Sequence, residues 1–416
     1  MKNENTKVFL GILALLITLS VFSDYSAQAR SSKKLLAMNA LFPEQINSDD
    51  ISLTASNSIS LSPSEINAQR IRQAFGVSMS KTLSSYTFAV TVLGKEQILL
   101  SYDIAGGAIS QFNSEAEMLS HAWARLEQLT EKKELELRNR FDVEFIRAKG
   151  NDPTRAPKLA ELYSLEYGLI HAIPSHLVTD HKGIRIHLFQ AKHLNGQRAH
   201  WEKNVDRKPE IFIEGPEKGQ SIVKSLERLI LHELGHNSAY RVGWNPHHTE
   251  RWKVTRELGW IPFNNPLTGE QGWAIRSKID PESQYKLGVN GLWVRCNKQG
   301  QPLNENGERV TKQYLAKRLT ASEVADIAMV RPATSYFPSP LEVYAEGMMI
   351  FRCDKESRGM LKANCPDLYE IVRREDQREI DICYGPGNYI RDLDGLLVKQ
   401  SEQSTQLVAK FENRLP

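Results

Sequence analysis

Little in this chain points to nucleic acid, to a membrane, or to a metal held by sulfur. Lys and Arg (53) nearly balance Asp and Glu (50), leaving a formal charge of +3 over 416 residues. The charges are interspersed, and no basic stripe with interleaved aromatics offers the footprint of a nucleic-acid-binding surface. One apolar run, Val8 to Val21, stands out, and it falls short of the roughly 20 residues a membrane-spanning helix needs. Cysteine is scarce: Cys296, Cys353, Cys365 and Cys383 are the whole supply. No CxxC spacing occurs among them, which argues against a thiolate zinc site. Internal repeats are absent too, so a chain of this length is expected to divide into two or three distinct domains.

What the chain does carry is His232-Glu233-Leu234-Gly235-His236. On an α-helix, residues i and i+4 share a face, with Cβ atoms roughly 5–6 Å apart. Two imidazoles at that spacing converge on one Zn²⁺, each at about 2.0–2.1 Å. Glu233, about 100° further round the helix, reaches a water at that metal and can take its proton. The preceding segment, Gln220 to Leu231, has no Pro or Gly and reads as helix. Ile222, Leu226 and Leu229 follow helical spacing, and their stripe continues into Glu233 and His236. The motif is therefore expected on the inward face of a half-buried helix.

A catalytic zinc usually takes three protein ligands and leaves a fourth position for water. The extended pattern HExxHxxGxxH is not met, because Ala239 and Val242 stand where it needs Gly and His. A metzincin is thereby excluded. His247 and His248, after the turn Trp244-Asn245-Pro246, can in principle bind metal but read better as loop or rim residues. Further on, Pro340 suits the first turn of a new helix, which puts Glu342 and Glu346 on one face as i and i+4. Glu342, in that first turn, is favoured by the helix dipole and can reach a metal at the cleft. Glu346, one turn deeper, is better placed to accept a hydrogen bond from the free ring N–H of a ligating histidine.

HELGH at 232–236, then Tyr336, a short Pro-containing loop and Glu342-x-x-Ala345-Glu346, resembles the lethal-factor-like peptidase domain shared with Pro-Pro endopeptidases. The likeness is confined to these motifs and their flanks, from Lys208 to Glu375. It implies a gluzincin-like zinc metallopeptidase acting on a protein or peptide substrate. His232, His236 and Glu342 would hold one catalytic Zn²⁺, Glu233 would serve as general base, Glu346 would support the site from behind the ligands, and Tyr336 would stabilise the transition state. The implied fold is α+β: a zincin-type domain with a small twisted sheet, an edge strand, the HExxH helix and the downstream glutamate helix, preceded by a small α/β region. In zincins an edge strand beside the active-site helix holds the substrate backbone, and Glu210 to Glu214 is the candidate. A zinc-containing binding protein without catalysis, and a zinc amidase acting on cell-wall peptides, are the alternatives.

Lys2 and Lys7, the apolar run and Ala27-Gln28-Ala29 read as a signal peptide over 1–29, implying export to a periplasm or the outside and no transmembrane segment after cleavage. Residues 30–66, rich in Ser, Asn and Asp, read as a flexible arm. In an accessory region over 67–150, Tyr86–Val92 and Gln97–Tyr102 flank Gly94-Lys95 as a hairpin. Ser114 and Glu117 then form a capping box opening a long helix, with Leu119, Ala122, Leu126 and Leu129 on one face. The zincin domain is expected over 151–384 and a tail over 385–416. Within it, Pro157 to Ile170 reads as helix, Ile184 to Phe189 as strand, Arg256 through Asn306 as insertion loops, and Cys365 to Val372 as a closing helix. An even number of cysteines in an oxidising compartment suggests two disulfides. Of the three pairings, Cys353 with Cys365 and Cys296 with Cys383 is preferred.

Overall fold

Tyr86, Phe88 and Val90, alternating along one run, are all buried and form the inner face of an antiparallel sheet. The computed structural model describes residues 66–147, 154–172, 183–190, 199–203, 209–241, 254–264, 271–277, 283–287, 293–297, 301, 303–304, 306–309, 323, 326–334, 336–337, 339–392 and 394–400. The signal peptide over 1–29, all of the arm but Ile66, the pair His247 and His248, and the tail beyond residue 400 lie outside the described residues. The architecture is mixed α+β. Among the described residues no helix is long and apolar enough to cross a membrane.

The first sheet runs in the order β1 (Ser78–Lys81), β2 (Ser85–Val92), β3 (Lys95–Ala105), β4 (Ala108–Ile109), antiparallel throughout. Leu93 (φ 49°) and Gly94 (φ 73°) form the two-residue turn of the expected hairpin, positive φ at both positions matching the strand twist. Three helices flank this sheet: α1 (Ala68–Phe75), α2 (Glu115–Phe141) and α3 (Leu159–His171). At the start of α2, Ser114 accepts from the Glu117 amide, while the Glu117 carboxylate reaches past the cap to the Asn113 amide at 2.9 Å. Ile71, Phe88, Met118, Leu126 and Leu159 share one core. The segment over 67–150 thus packs onto the first turn of α3 and has no separate interior.

The second sheet has the order β5 (Val143–Ile146), β6 (Ile184–Leu188), β8 (Pro209–Ile213), β7 (Ala199–Lys203). The first three strands are parallel, and β7 lies antiparallel on β8. Glu210 to Glu214 was expected at the edge, but β8 is an interior strand, with Ile211 and Ile213 fully buried. The edge on that side belongs to β7, a short run next to β8, and β5 is the other edge.

The helix bearing HELGH, α4 (Leu226–Arg241), begins later than the apolar spacing suggests. Ahead of it the backbone is drawn away from helix: the Val223 amide donates to the Glu161 carboxylate at 3.1 Å, the Ser221 carbonyl accepts from Lys158 Nζ, and Ser225 has φ 53°. Nor is α4 half-buried. Leu226, Leu229, Ile230, Leu231, Leu234, Asn237, Ser238 and Ala239 are all buried, so it is a central helix covered on every side. It touches β7 and β8 on one side and α3 on another, where a Cβ on Gly168 would run into Ile230.

The C-terminal part contributes α5 (Pro340–Cys353), α6 (Lys355–Asn364) and α7 (Pro366–Tyr384). The presumed tail opens as a hairpin, β9 (Tyr389–Arg391) with β10 (Leu397–Lys399). No disulfide joins any of the four cysteines. The preferred Cys353–Cys365 bridge is replaced by separate partners: burial first, then Asp354, pushes the Cys353 thiol up to about 12, while Cys365 Sγ donates to the Pro332 carbonyl at 3.6 Å.

Gly259–Met329 is a compact unit of its own. Where insertion loops were expected it contains an antiparallel meander of Trp260–Asn264, Gln271–Arg276, Ser283–Leu287 and Trp293–Asn297, paired in sequence order. Ala274, Ile275 and Cys296 are buried, and the ladder satisfies backbone groups that Gly- and Asn-rich loops would leave to water.

Candidate metal centre

Two helices build the centre, and small residues let them meet. Gly235 of α4 faces Ala345 of α5, the small residues of HELGH and ExxAE, so the motif side chains flank the tightest part of the crossing. Pro340 begins α5 and Ser339 caps it, its hydroxyl accepting from the Glu342 amide at 3.3 Å. Glu342 is thereby held in the first turn, at the end of α5 that faces the histidines.

One nitrogen of His232, one nitrogen of His236 and one carboxylate oxygen of Glu342 all lie within 4.8 Å of one another. Glu342 Oε2 is 3.1 Å from His232 Nε2 and 3.4 Å from His236 Nε2. Ligand atoms about 2.0–2.1 Å from a tetrahedral centre stand roughly 3.3–3.4 Å apart, so these separations fit a divalent cation between them. The two imidazole planes cross at 85°, as rings converging on one point from successive helical turns must. Two imidazoles and a carboxylate form a donor set for a borderline divalent metal.

Charge supports the same reading. Burial disfavours the His232 imidazolium, yet Glu342, Glu346 and Glu233 together raise its pKa well above the ordinary histidine value. Burial likewise pushes Glu342 up, and His236 and His232 more than reverse it, leaving the carboxyl far below its usual range. The cluster is short of positive charge, and a proton or a metal ion at this point supplies it. Glu233 is itself buried and acts electrostatically on both His232 and Tyr336.

Glu346 does not join the ligand cluster. Its Oε1 lies 2.7 Å from His232 Nδ1, on the side of the ring away from Glu342. That contact restrains the ring while Nε2 faces Glu342. The Tyr336 ring is centred 6.0 Å from that of His232, tilted by 55°. Its phenol is raised well above its ordinary pKa by Glu342, then by burial, Glu233 and Glu346, while 36 % of the residue remains exposed. All six residues singled out in the sequence therefore meet here.

Several other contributors were not singled out in the sequence. Thr334 Oγ1 donates to Glu346 Oε2 at 2.6 Å and accepts from the Tyr336 amide at 3.1 Å. Arg352, fully buried on α5, donates to Ser238 of α4 and to Asp376 and Glu379 of α7, at 2.7–2.8 Å in each case. Arg391 of β9 adds a second guanidinium on Asp376 and donates to the His171 carbonyl. These links brace α4 and α5 two residues beyond His236. Apart from the local Thr334–Tyr336 turn, spacing along the chain could suggest none of them, because the partners are distant in sequence. No protein-family model matches this chain, and no curated protein is significantly similar to it.

Proposed function

We propose that the chain is a zinc-dependent endopeptidase, exported if the apolar leader acts as a signal. The observation that carries this reading is the convergence of His232, His236 and Glu342 within 4.8 Å, with the buried Glu233 beside them. Zn²⁺ fits two imidazoles and a carboxylate, and when bound it supplies a Lewis acid that brings the pKa of a coordinated water down to about 7.

The protein's own groups do the rest. Glu233 takes a proton from water as the water oxygen bonds to the peptide carbonyl carbon. The carbonyl π electrons move onto its oxygen, where the Tyr336 hydroxyl donates a hydrogen bond, a contact worth on the order of 3 kcal/mol when removed. Glu233 then passes the proton to the amide nitrogen, the oxygen's electrons restore the carbonyl as the C–N bond breaks, and the carboxylic acid and amine formed ionise to carboxylate and ammonium. Glu346 keeps His232 in one orientation throughout. The antiparallel edge of β7, which touches α4, is the strand to which an extended substrate backbone would add.

The test uses purified protein loaded with one equivalent of zinc, incubated with a proteome-derived peptide library, next to Glu233→Gln. Retained zinc and a loss of at least about 10²-fold in cleavage by the variant are expected. Equal cleavage by both proteins, or none by either, would refute the reading.

A further inference from the structure

Behind His232 an ion-pair contact and two hydrogen bonds run outward to the segment carrying Tyr336. We infer that Thr334 is a positioning residue that locks His232 and Tyr336 into one arrangement through Glu346. Donor chemistry sets the direction of both hydrogen bonds. A backbone amide only donates, so Thr334 Oγ1 must accept from Tyr336 N–H at 3.1 Å. Its one hydroxyl proton is then free for Glu346 Oε2, at 2.6 Å. The other oxygen, Glu346 Oε1, stands 2.7 Å from His232 Nδ1 as an ion-pair contact, on the far side of the ring from Nε2, which faces Glu342.

Glu346 is 2 % exposed, and among the described residues Thr334 is the donor on its outer oxygen. Without that donor a buried oxygen loses its partner and the carboxylate is no longer held in rotation, so the His232 ring is released with it. The same hydroxyl is the acceptor for the Tyr336 amide. One substitution therefore loosens both His232 and Tyr336. A threonine present only to fill space would serve equally well as valine, which has nearly its shape. Thr334→Ser keeps both hydrogen bonds and Thr334→Val keeps neither.

The inference rests on reading the cluster as a metal centre, but the hydrogen bonds exist without metal, and so does the first measurement. In the full-length, metal-free protein, amide exchange at Tyr336 is expected to be at least about tenfold faster in Thr334→Val than in wild type, with Thr334→Ser near wild type. Competition with a chelator should show zinc affinity about 10-fold weaker or more in the valine variant, and restored by serine. If the valine variant does not fold, Thr334→Ala replaces it against the same serine control. Wild-type exchange and zinc affinity in the hydroxyl-free variant would overturn the inference. Failure of the peptidase reading shows differently: exchange and zinc binding respond as expected while no peptide is cleaved by any form.

Discussion

A Cβ built on Gly235 would stand 3.0 Å from the Cα of Ala345 and 3.1 Å from its carbonyl oxygen. Both atoms are helix backbone and cannot swing aside, so the separation of α4 from α5 is set by the absence of a side chain at 235. The metal-facing groups sit one residue beyond Gly235 and three before Ala345, close enough that any spreading of the helices moves His236 away from Glu342. Gly235→Val is therefore expected to destabilise the protein by about 3 kcal/mol, toward the upper end of overpacking costs. Zinc affinity should fall in the same variant. Thermal unfolding of the metal-free protein and a chelator titration measure the two effects, and an unchanged melting temperature would show that the crossing tolerates a side chain.

The two glutamates of α5 should separate cleanly in metal titrations. Glu342 contributes an oxygen to the ligand cluster, whereas Glu346 touches only the far nitrogen of His232 and Thr334. Glu342→Ala should abolish stoichiometric zinc binding after mild chelation. Glu346→Ala should leave a measurable site weakened by roughly 10–100-fold. The reverse order of severity would transfer the ligand role to Glu346.

The motif residues were legible because helical periodicity is local: HELGH and ExxAE each specify a face, and the capping residues Ser339 and Pro340 fix where the second helix starts. The cap at Ser114 was legible in the same local way, and so was the hairpin, although its turn falls at Leu93-Gly94, one residue before the expected Gly94-Lys95. What the chain did not disclose depends on distant partners. The start of α4 is decided by Glu161 and Lys158, more than fifty residues away, which hold Ser221 and Val223 out of the helix. The edge position of β7 depends on pairing with β8, and the alternation in Ala199-His200-Trp201-Glu202-Lys203 spans only four residues, too short a signal to place the strand. The cysteine count suggested bridges, yet Cys353 and Cys365 have separate polar neighbours, Asp354 and the Pro332 carbonyl.

Arg352 points its guanidinium in three directions at once, to Asp376, Ser238 and Glu379. Removing it takes a guanidinium from two buried carboxylates at once, Asp376 and Glu379. Arg352→Met is expected to cost about 3–5 kcal/mol of stability, the range for breaking a buried ion pair on one side. Arg352→Lys should recover only part of that, because a single ammonium cannot reproduce a planar fork bonded on three sides. Urea denaturation of the three proteins gives the comparison. Full recovery by lysine would mean that charge alone, without the geometry, holds the helices.

The same region should give the fold an acid-sensitive step with an assignable cause. Burial holds the His171 imidazole down at about 4, with Arg391 and Arg358 adding to it and the Arg352 carbonyl and Asp354 opposing. Its folded value lies below the ordinary 6.5, so the unfolded chain takes up the extra proton first. Stability from this residue is complete above pH 6.5 and is lost as the pH falls to about 4, on the order of 3 kcal/mol in all. Burial pushes Asp376 up, but Arg391 and Arg352 override it and hold the carboxyl at about 2 against an ordinary 3.8. Its contribution, about 2 kcal/mol, is present above pH 3.8 and lost only between there and 2. His232, whose pKa is raised, works in the opposite sense in the metal-free protein, gaining stability as the pH falls. Comparing His171→Asn with wild type cancels that term, since both proteins carry it. The variant should lose the decline between pH 6.5 and 4 and keep the later one. A decline of unchanged steepness in the variant would assign the acid step to another group.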